Sequence, residues 1–230
     1  MKTILAIIVF SLTTSATAAT IALDTGHNDG ATGVTSPSGY REHDYNRTFV
    51  LALKAELDRR GHQVIDLKRR GLDRTLQMRA SAKADLFVSI HHDSMPQAWI
   101  DAGLARQYSG FSIFVSHKNA FPGFACAKRV GAALVAIGEK PSLYHATPIP
   151  GEHRPILDDA TGVHRYDDLV VLRTANNPAI LLEVGVIANP YEETRLRSPK
   201  FIERAAAAVA DGIDGCVAQK TGMTLTRKVY

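Results

Sequence analysis

Three short apolar runs in this chain each stop at a residue able to bind or serve a metal ion. Residues 21–27 read Ile-Ala-Leu-Asp-Thr-Gly-His and end at His27. Residues 84–91 end at His91 in the same way, and residues 178–183 end at Glu183, ahead of Val184 and Gly185. Runs this short, with β-rich composition, predict buried strands rather than helices. In open α/β sheets, chemistry gathers where parallel strands end, at their C-terminal edge. Three reactive side chains at three strand ends can therefore share one pocket. The leading expectation is a hydrolytic metal site.

The rest of the chain alternates around these runs. Residues 45–60 carry Phe49, Val50, Leu53 and Leu57 at helical spacing, with Gly61 as the stop. Residues 63–67 predict a second strand, 76–83 a short helix and 86–90 the strand that leads to His91. Residues 110–116 predict another strand, 125–137 a helix stopped by Gly138, 179–182 a buried strand and 200–217 an alanine-rich closing helix. This order predicts an α/β fold: a single domain with a mostly parallel, mixed sheet flanked by helices on both faces. Residues 139–168, rich in Pro, Gly, His and charge, predict a long loop of the functional or mobile kind. Residues 219–230 predict a basic C-terminal tail of loose order.

Residues 1–19 read as a secretory signal peptide. Lys2 supplies the positive start, residues 4–12 the apolar core, and Ala16-Thr17-Ala18 the small-x-small cleavage pattern. That core is too short to span a bilayer, which takes about 20 residues, and no later stretch has transmembrane length. The expectation is an exported, soluble chain, in the periplasm or at the cell wall, with residues 20–218 as its catalytic domain. The net charge of +4 suits an anionic surface but is too small to establish a partner. No basic-aromatic stripe points to nucleic acid. Export permits Cys126 and Cys216 to bridge; a disulfide and two separate buried thiols both stand open.

A catalytic zinc takes three protein ligands from His, Asp or Glu and keeps a fourth position open. His27 and His91 are the imidazoles. The third ligand is expected from residues 39–46, just before the first helix, where Glu42, His43 and Asp44 lie together. Asp44 is placed to cap that helix; Glu42 is the ligand and His43 the fallback. Glu183 closes an apolar run where an unpaired charge is costly. It is either half of a buried ion pair, with Arg173 as the partner, or a general base with a raised pKa. His92 and Asp93 follow His91; Asp93 is a candidate to orient a ligand imidazole. His145, His153 and His164 are candidates to line a groove in the 139–168 loop.

Taken together, Leu23-Asp-Thr-Gly-His27, Gly39-x-x-Glu42-x-Asp44-x-Asn46, Ser89-Ile-His91, Val171-Leu-Arg173 and residues 178–185 with Asn189 resemble the type-3 zinc-dependent N-acetylmuramoyl-L-alanine amidases. The resemblance runs from about residue 20 to residue 217. It implies zinc bound by His27, Glu42 and His91, Glu183 as the catalytic glutamate, and Asp93, Arg173 and Asn189 as further support or substrate contacts. It implies peptidoglycan as substrate, cut between N-acetylmuramic acid and the L-alanine of the stem peptide. Some members of that family carry a helix that blocks the zinc until an activator moves it, so a protein activator is an expected class of partner; the chain itself is expected to be a monomer. The sequence departs from the family after three of these residues, with Asn28-Asp29-Gly30 after His27, His92-Asp93 after His91 and Val184-Gly185-Val186 after Glu183. Two other readings share these residues: a metallo-carboxypeptidase or endopeptidase on stem peptides, and a non-catalytic wall-binding or regulatory protein of the same fold.

Overall fold

The computed structural model describes residues 18–67, 83–117, 120–148 and 153–226. Seven strands form one sheet: β1 (Thr20–Thr25), β2 (Gln63–Asp66), β3 (Leu86–Asp93), β4 (Ser112–Val115), β5 (Ile156–Asp158), β6 (Val163–Arg165) and β7 (Ala179–Val186). Their order across the sheet is β2-β1-β3-β7-β4-β6-β5. β2, β1, β3 and β7 run parallel. β4 is antiparallel to β7, β6 is parallel to β4, and β5 is antiparallel to β6. The mixed, mostly parallel sheet expected from the sequence is therefore present.

Side-chain alternation sorts the central strands between two faces. Ile21, Leu23, Leu86, Val88, Ile90, Ile180 and Leu182 join the larger core. Ala22, Phe87, Ala179 and Leu181 point the other way into a second core. Three long helices cover the first face: α1 (Glu42–Arg59), α3 (Ala120–Ala136) and α6 (Pro199–Thr226). The second face is covered, among the described residues, by α4 (Val170–Arg173) and its flanking segments. Two more short helices, α2 (Gln97–Asp101) and α5 (Pro190–Leu196), follow β3 and β7. Among the described residues no helix is long and apolar enough to cross a membrane.

Several boundaries differ from the sequence reading. α1 begins at Glu42, so Glu42 is a helical residue and not part of a preceding loop. Arg41 takes the cap position without a side-chain cap, and Asp44 instead grips Arg41 through two hydrogen bonds, at 2.8 and 2.9 Å. An acidic first turn suits the positive end of the helix dipole without capping it. β3 and β7 each run past the apolar stretch, to Asp93 and Val186. The 139–168 segment holds β5, β6 and a 3-10 turn at Tyr144–Ala146. α6 continues through part of the expected tail to Thr226. Cys126 and Cys216 are bridged, joining α3 to α6. The expected leader falls almost wholly outside the described residues, although Ala19 is already buried and donates its N–H to His62 Nδ1. The short helix expected at 76–83 also lies outside them, apart from its last residue.

Candidate metal centre

β1 ends at Thr25, and the chain must turn sharply to leave the sheet. It does so at His27, whose φ of 63° is the only positive value at a non-glycine position among the described residues. That conformation costs a non-glycine residue about 1–3 kcal/mol and persists where surrounding structure enforces it. The Asn28 side chain fixes the turn by accepting from the Gly30 and Ala31 N–H groups, each at 2.9 Å. The result points the His27 imidazole at the start of α1, where His27 Nε2 donates to Glu42 Oε2 at 2.9 Å.

His91 reaches the same carboxylate from β3, donating from Nδ1 to Glu42 Oε1 at 3.0 Å. The ligand atoms of His27, Glu42 and His91 all lie within 4.8 Å of one another. Donors around one zinc at about 2.0–2.2 Å sit a little over 3 Å apart, so this spacing and this donor set fit such an ion. Two glycines make the convergence physically feasible. A Cβ on Gly26 would lie 2.5 Å from the His91 ring. A Cβ on Gly33, itself at φ +75°, would lie 2.3 Å from Glu42 Oε2 and 2.7 Å from His27 Cδ2.

A buried polar brace holds the cluster from behind. Asn46 Nδ2 donates to Gly26 O at 3.1 Å and to Glu42 Oε1 at 3.3 Å, while its Oδ1 accepts from His92 Nδ1 at 2.8 Å. His92 also reaches α1, where it packs against Tyr45 and Phe49. Burial pushes its imidazole down to about 3, so it stays neutral. His43 is buried too and donates to Gly26 O at 3.1 Å, which makes it part of the brace and leaves Glu42 as the ligand atom source in α1. Burial alone would raise the Glu42 carboxyl, but hydrogen bonds from His27 and His91 outweigh it and hold the group well below the usual carboxylate range.

Glu183 faces this cluster from the neighbouring strand, directly paired in register with His91. Its Oε2 is buried without a hydrogen-bond partner. Burial raises the Glu183 carboxyl well above its ordinary value, and the nearby Asp93 and Glu42 charges add to the effect. The ion-pair alternative does not hold: Arg173 is exposed at the end of α4 and makes no ion pair with Glu183.

The remaining candidates sit in different places. Asp93 orients no ligand imidazole. The register shifts between His91 and Asp93, and the Asp93 carboxylate is held by other partners: Oδ1 accepts from Tyr144 OH at 2.8 Å and Oδ2 accepts from His145 Nε2 at 2.7 Å. Asn189 is spent on structure: its Oδ1 caps α5 through Tyr191 N and Glu192 N, and its Nδ2 donates to Tyr108 O at 2.9 Å. Of the three loop histidines, His145 lines the cleft, His164 is buried behind it and His153 is exposed. The cleft has a volume of about 420 Å³ and is lined by His27, Glu42, His91 and Glu183 together with Phe114, His145, Arg154 and Tyr166. Sequence reasoning did not single out Tyr144, Arg154 or Tyr166. Their only signal was membership of an unusually long, charged loop.

The fold and the donor set define an α/β protein with a His-Glu-His cluster, able to hold a metal ion, at the C-terminal edge of its parallel strands. The chain belongs to the N-acetylmuramoyl-L-alanine amidase family, whose model matches residues 21–215. It is 25% identical over 196 residues to the probable cell wall amidase LytH of Staphylococcus aureus, covering 84% of this chain and 57% of that relative. The chain thus spans a little over half the length of the curated relative it matches. Among solved structures it is similar to the N-acetylmuramyl-L-alanine amidase Ami1 of Mycobacterium smegmatis, with a TM-score of 0.67, 22% identity, and coverage of 87% and 97% of the two chains. It is also similar to the CwlD amidase of Clostridioides difficile, solved in complex with the GerS lipoprotein, with a TM-score of 0.64, 20% identity, and coverage of 87% and 98%.

Proposed function

We propose that this chain is an exported zinc amidase that cuts the amide between N-acetylmuramic acid and the L-alanine of the peptidoglycan stem. The observation that carries the reading is Glu183 in register with His91, its Oε2 buried without a hydrogen-bond partner, one strand from three converging candidate metal ligands, in a chain of the amidase family. His27, Glu42 and His91 would hold zinc, which when bound supplies Lewis acidity and lowers the pKa of a water toward about 7.

The protein's own residues do the rest. Glu183 accepts the proton of the attacking water, a task its raised pKa suits. It later delivers that proton to the leaving alanine nitrogen, so it must be a base in one half-reaction and an acid in the next. The Asn46 brace keeps Glu42 oriented toward both imidazoles. The Cys126–Cys216 bridge supports an oxidising, extracytoplasmic setting, since such bonds are rare in reducing compartments. The complex of CwlD with GerS gives a precedent for a protein partner, and an activator of that kind belongs to this reading.

Substitution separates the roles. Glu183→Gln is expected to keep one zinc per chain and to lower turnover of purified peptidoglycan by about 10²–10⁴-fold, the range of a positioned acid-base group. His27→Ala and His91→Ala are expected to lose both zinc and turnover. A Glu183→Gln protein with wild-type turnover would overturn the mechanism.

A further inference from the structure

The start of the buried chain coincides with the expected end of the leader. Ala18 is exposed, whereas Ala19 is buried in the larger core. Both backbone groups of Ala19 are engaged: its O accepts from Gln63 N at 2.8 Å, and its N–H donates to His62 Nδ1 at 3.2 Å. His62 is itself only 5% exposed. A neutral imidazole that accepts at Nδ1 carries its proton at Nε2, and His62 Nε2 donates to Asp214 Oδ1 on α6 at 2.6 Å. Asp214 thus orients the imidazole, and the imidazole presents a lone pair to the nitrogen of Ala19. Such an acceptor suits an amine as well as an amide.

Among the described residues, the charges around this relay do not balance. Arg60 binds Glu56, Asp211 and Asp214, and Arg59 binds Glu56 as well. Three carboxylates therefore share two guanidinium groups, which leaves one negative charge over. On the other flank, Asp85 Oδ2 accepts from Thr20 N at 2.9 Å. We propose that the bond between Ala18 and Ala19 is the export-processing site, and that the Ala19 ammonium released there is bound by the His62–Asp214 relay. Ala16-Thr17-Ala18 carries the small-x-small pattern that leader-cleaving peptidases accept. Hydrolysis adds water across the amide. Ala18 keeps the carbonyl as a carboxylate, and the Ala19 nitrogen leaves with the bonding pair and takes up protons to become an ammonium. One N–H keeps its direction to His62, and the others open toward the exposed side that Ala18 vacates. The new cation supplies the charge that the network lacks. The mature N-terminus then clasps β1 to α6, the helix that closes the larger core. This clasp requires export but no metal chemistry.

The test expresses the full chain in an exporting bacterial host and reads the product's first residue by intact mass and N-terminal sequencing. The expected first residue is Ala19. The folded product is then exposed briefly, at about pH 7, to acetic anhydride, and its N-terminal peptide is weighed. The reagent needs the free amine, and an ammonium held by the relay resists it. Acetylation of Ala19 is expected to be at least about tenfold slower than in His62→Leu, since one unit of raised pKa is a factor of ten. Asp214→Asn keeps a hydrogen-bond acceptor but removes the charge; it should give an intermediate rate, and it serves where His62→Leu does not fold. A product that begins at any residue other than Ala19 overturns the processing site and leaves the amidase reading standing. A product that keeps Met1 overturns the processing site together with export. A product that begins at Ala19 but is acetylated as fast as the Asp214→Asn protein overturns the clasp.

Discussion

Gly33 shows how little room the metal cluster leaves. Its positive φ disfavours any side chain, and a Cβ there would press on Glu42 and His27 at once. Gly33→Ala is therefore expected to weaken zinc binding by at least about tenfold, because both ligands must shift; the same clash against His91 applies at Gly26. Competition against a chelator of known affinity measures this, and an unchanged affinity would contradict the geometry. His92 gives a second test at this scale. Its folded pKa of about 3 lies below the ordinary value of about 6.5, so the unfolded chain takes up the proton first as the pH falls. The stability it contributes is complete above about pH 6.5 and is lost progressively toward about pH 3. Denaturant unfolding across that window should show a shallower acid slope for His92→Gln than for the wild type; equal slopes would contradict the assignment. The convergence of His27, Glu42 and His91 was legible in the sequence because each ends or follows a recognisable run. Asp93 was legible only as a polar residue in the right place, since its partners Tyr144 and His145 lie some fifty residues away.

Among the elements, β1, β3 and β7 were readable for a physical reason: strands buried on both faces are nearly continuous apolar runs. β5 and β6 are three residues each and carry no period long enough to see. Their order comes from pairing along β4, which no local pattern encodes. The Asn189 cap did have a local signal, an Asn followed by Pro190 and then by Glu192 and Glu193, the pattern of a helix start. The closing of α3 onto α6 was half legible: both helices were, their bridge was not. That bridge spans 90 residues of chain, so it restricts the unfolded state strongly. Replacing both Cys126 and Cys216 by Ser is expected to cost about 2–4 kcal/mol of unfolding free energy, read as a lower urea midpoint, with zinc stoichiometry kept. An unchanged midpoint would mean that the packed helices need no crosslink.

At the scale of the whole molecule, the sheet changes direction between β7 and β4, and the cleft sits at that border. The parallel half, β1, β3 and β7 with α1, supplies the three candidate metal ligands and Glu183. The half beyond β7 supplies Phe114 from β4 and the Arg154–Tyr166 stack, which flanks β5 and β6. The candidate ligands and Glu183 were thus visible in the sequence because they belong to the half with strong apolar runs. The cleft residues beyond β7 were not, because their placement depends on how the second half folds back. The central claim joins the two halves into one catalytic cleft acting on one bond. Digesting purified peptidoglycan with the chain, with and without a zinc chelator, and weighing the products by mass spectrometry tests it most directly. The account predicts free stem peptides that begin with L-alanine, together with peptide-free glycan, and the loss of both products in chelator. Release of terminal D-alanine, or cuts within the stem peptide, would contradict it and assign the site to a peptidase.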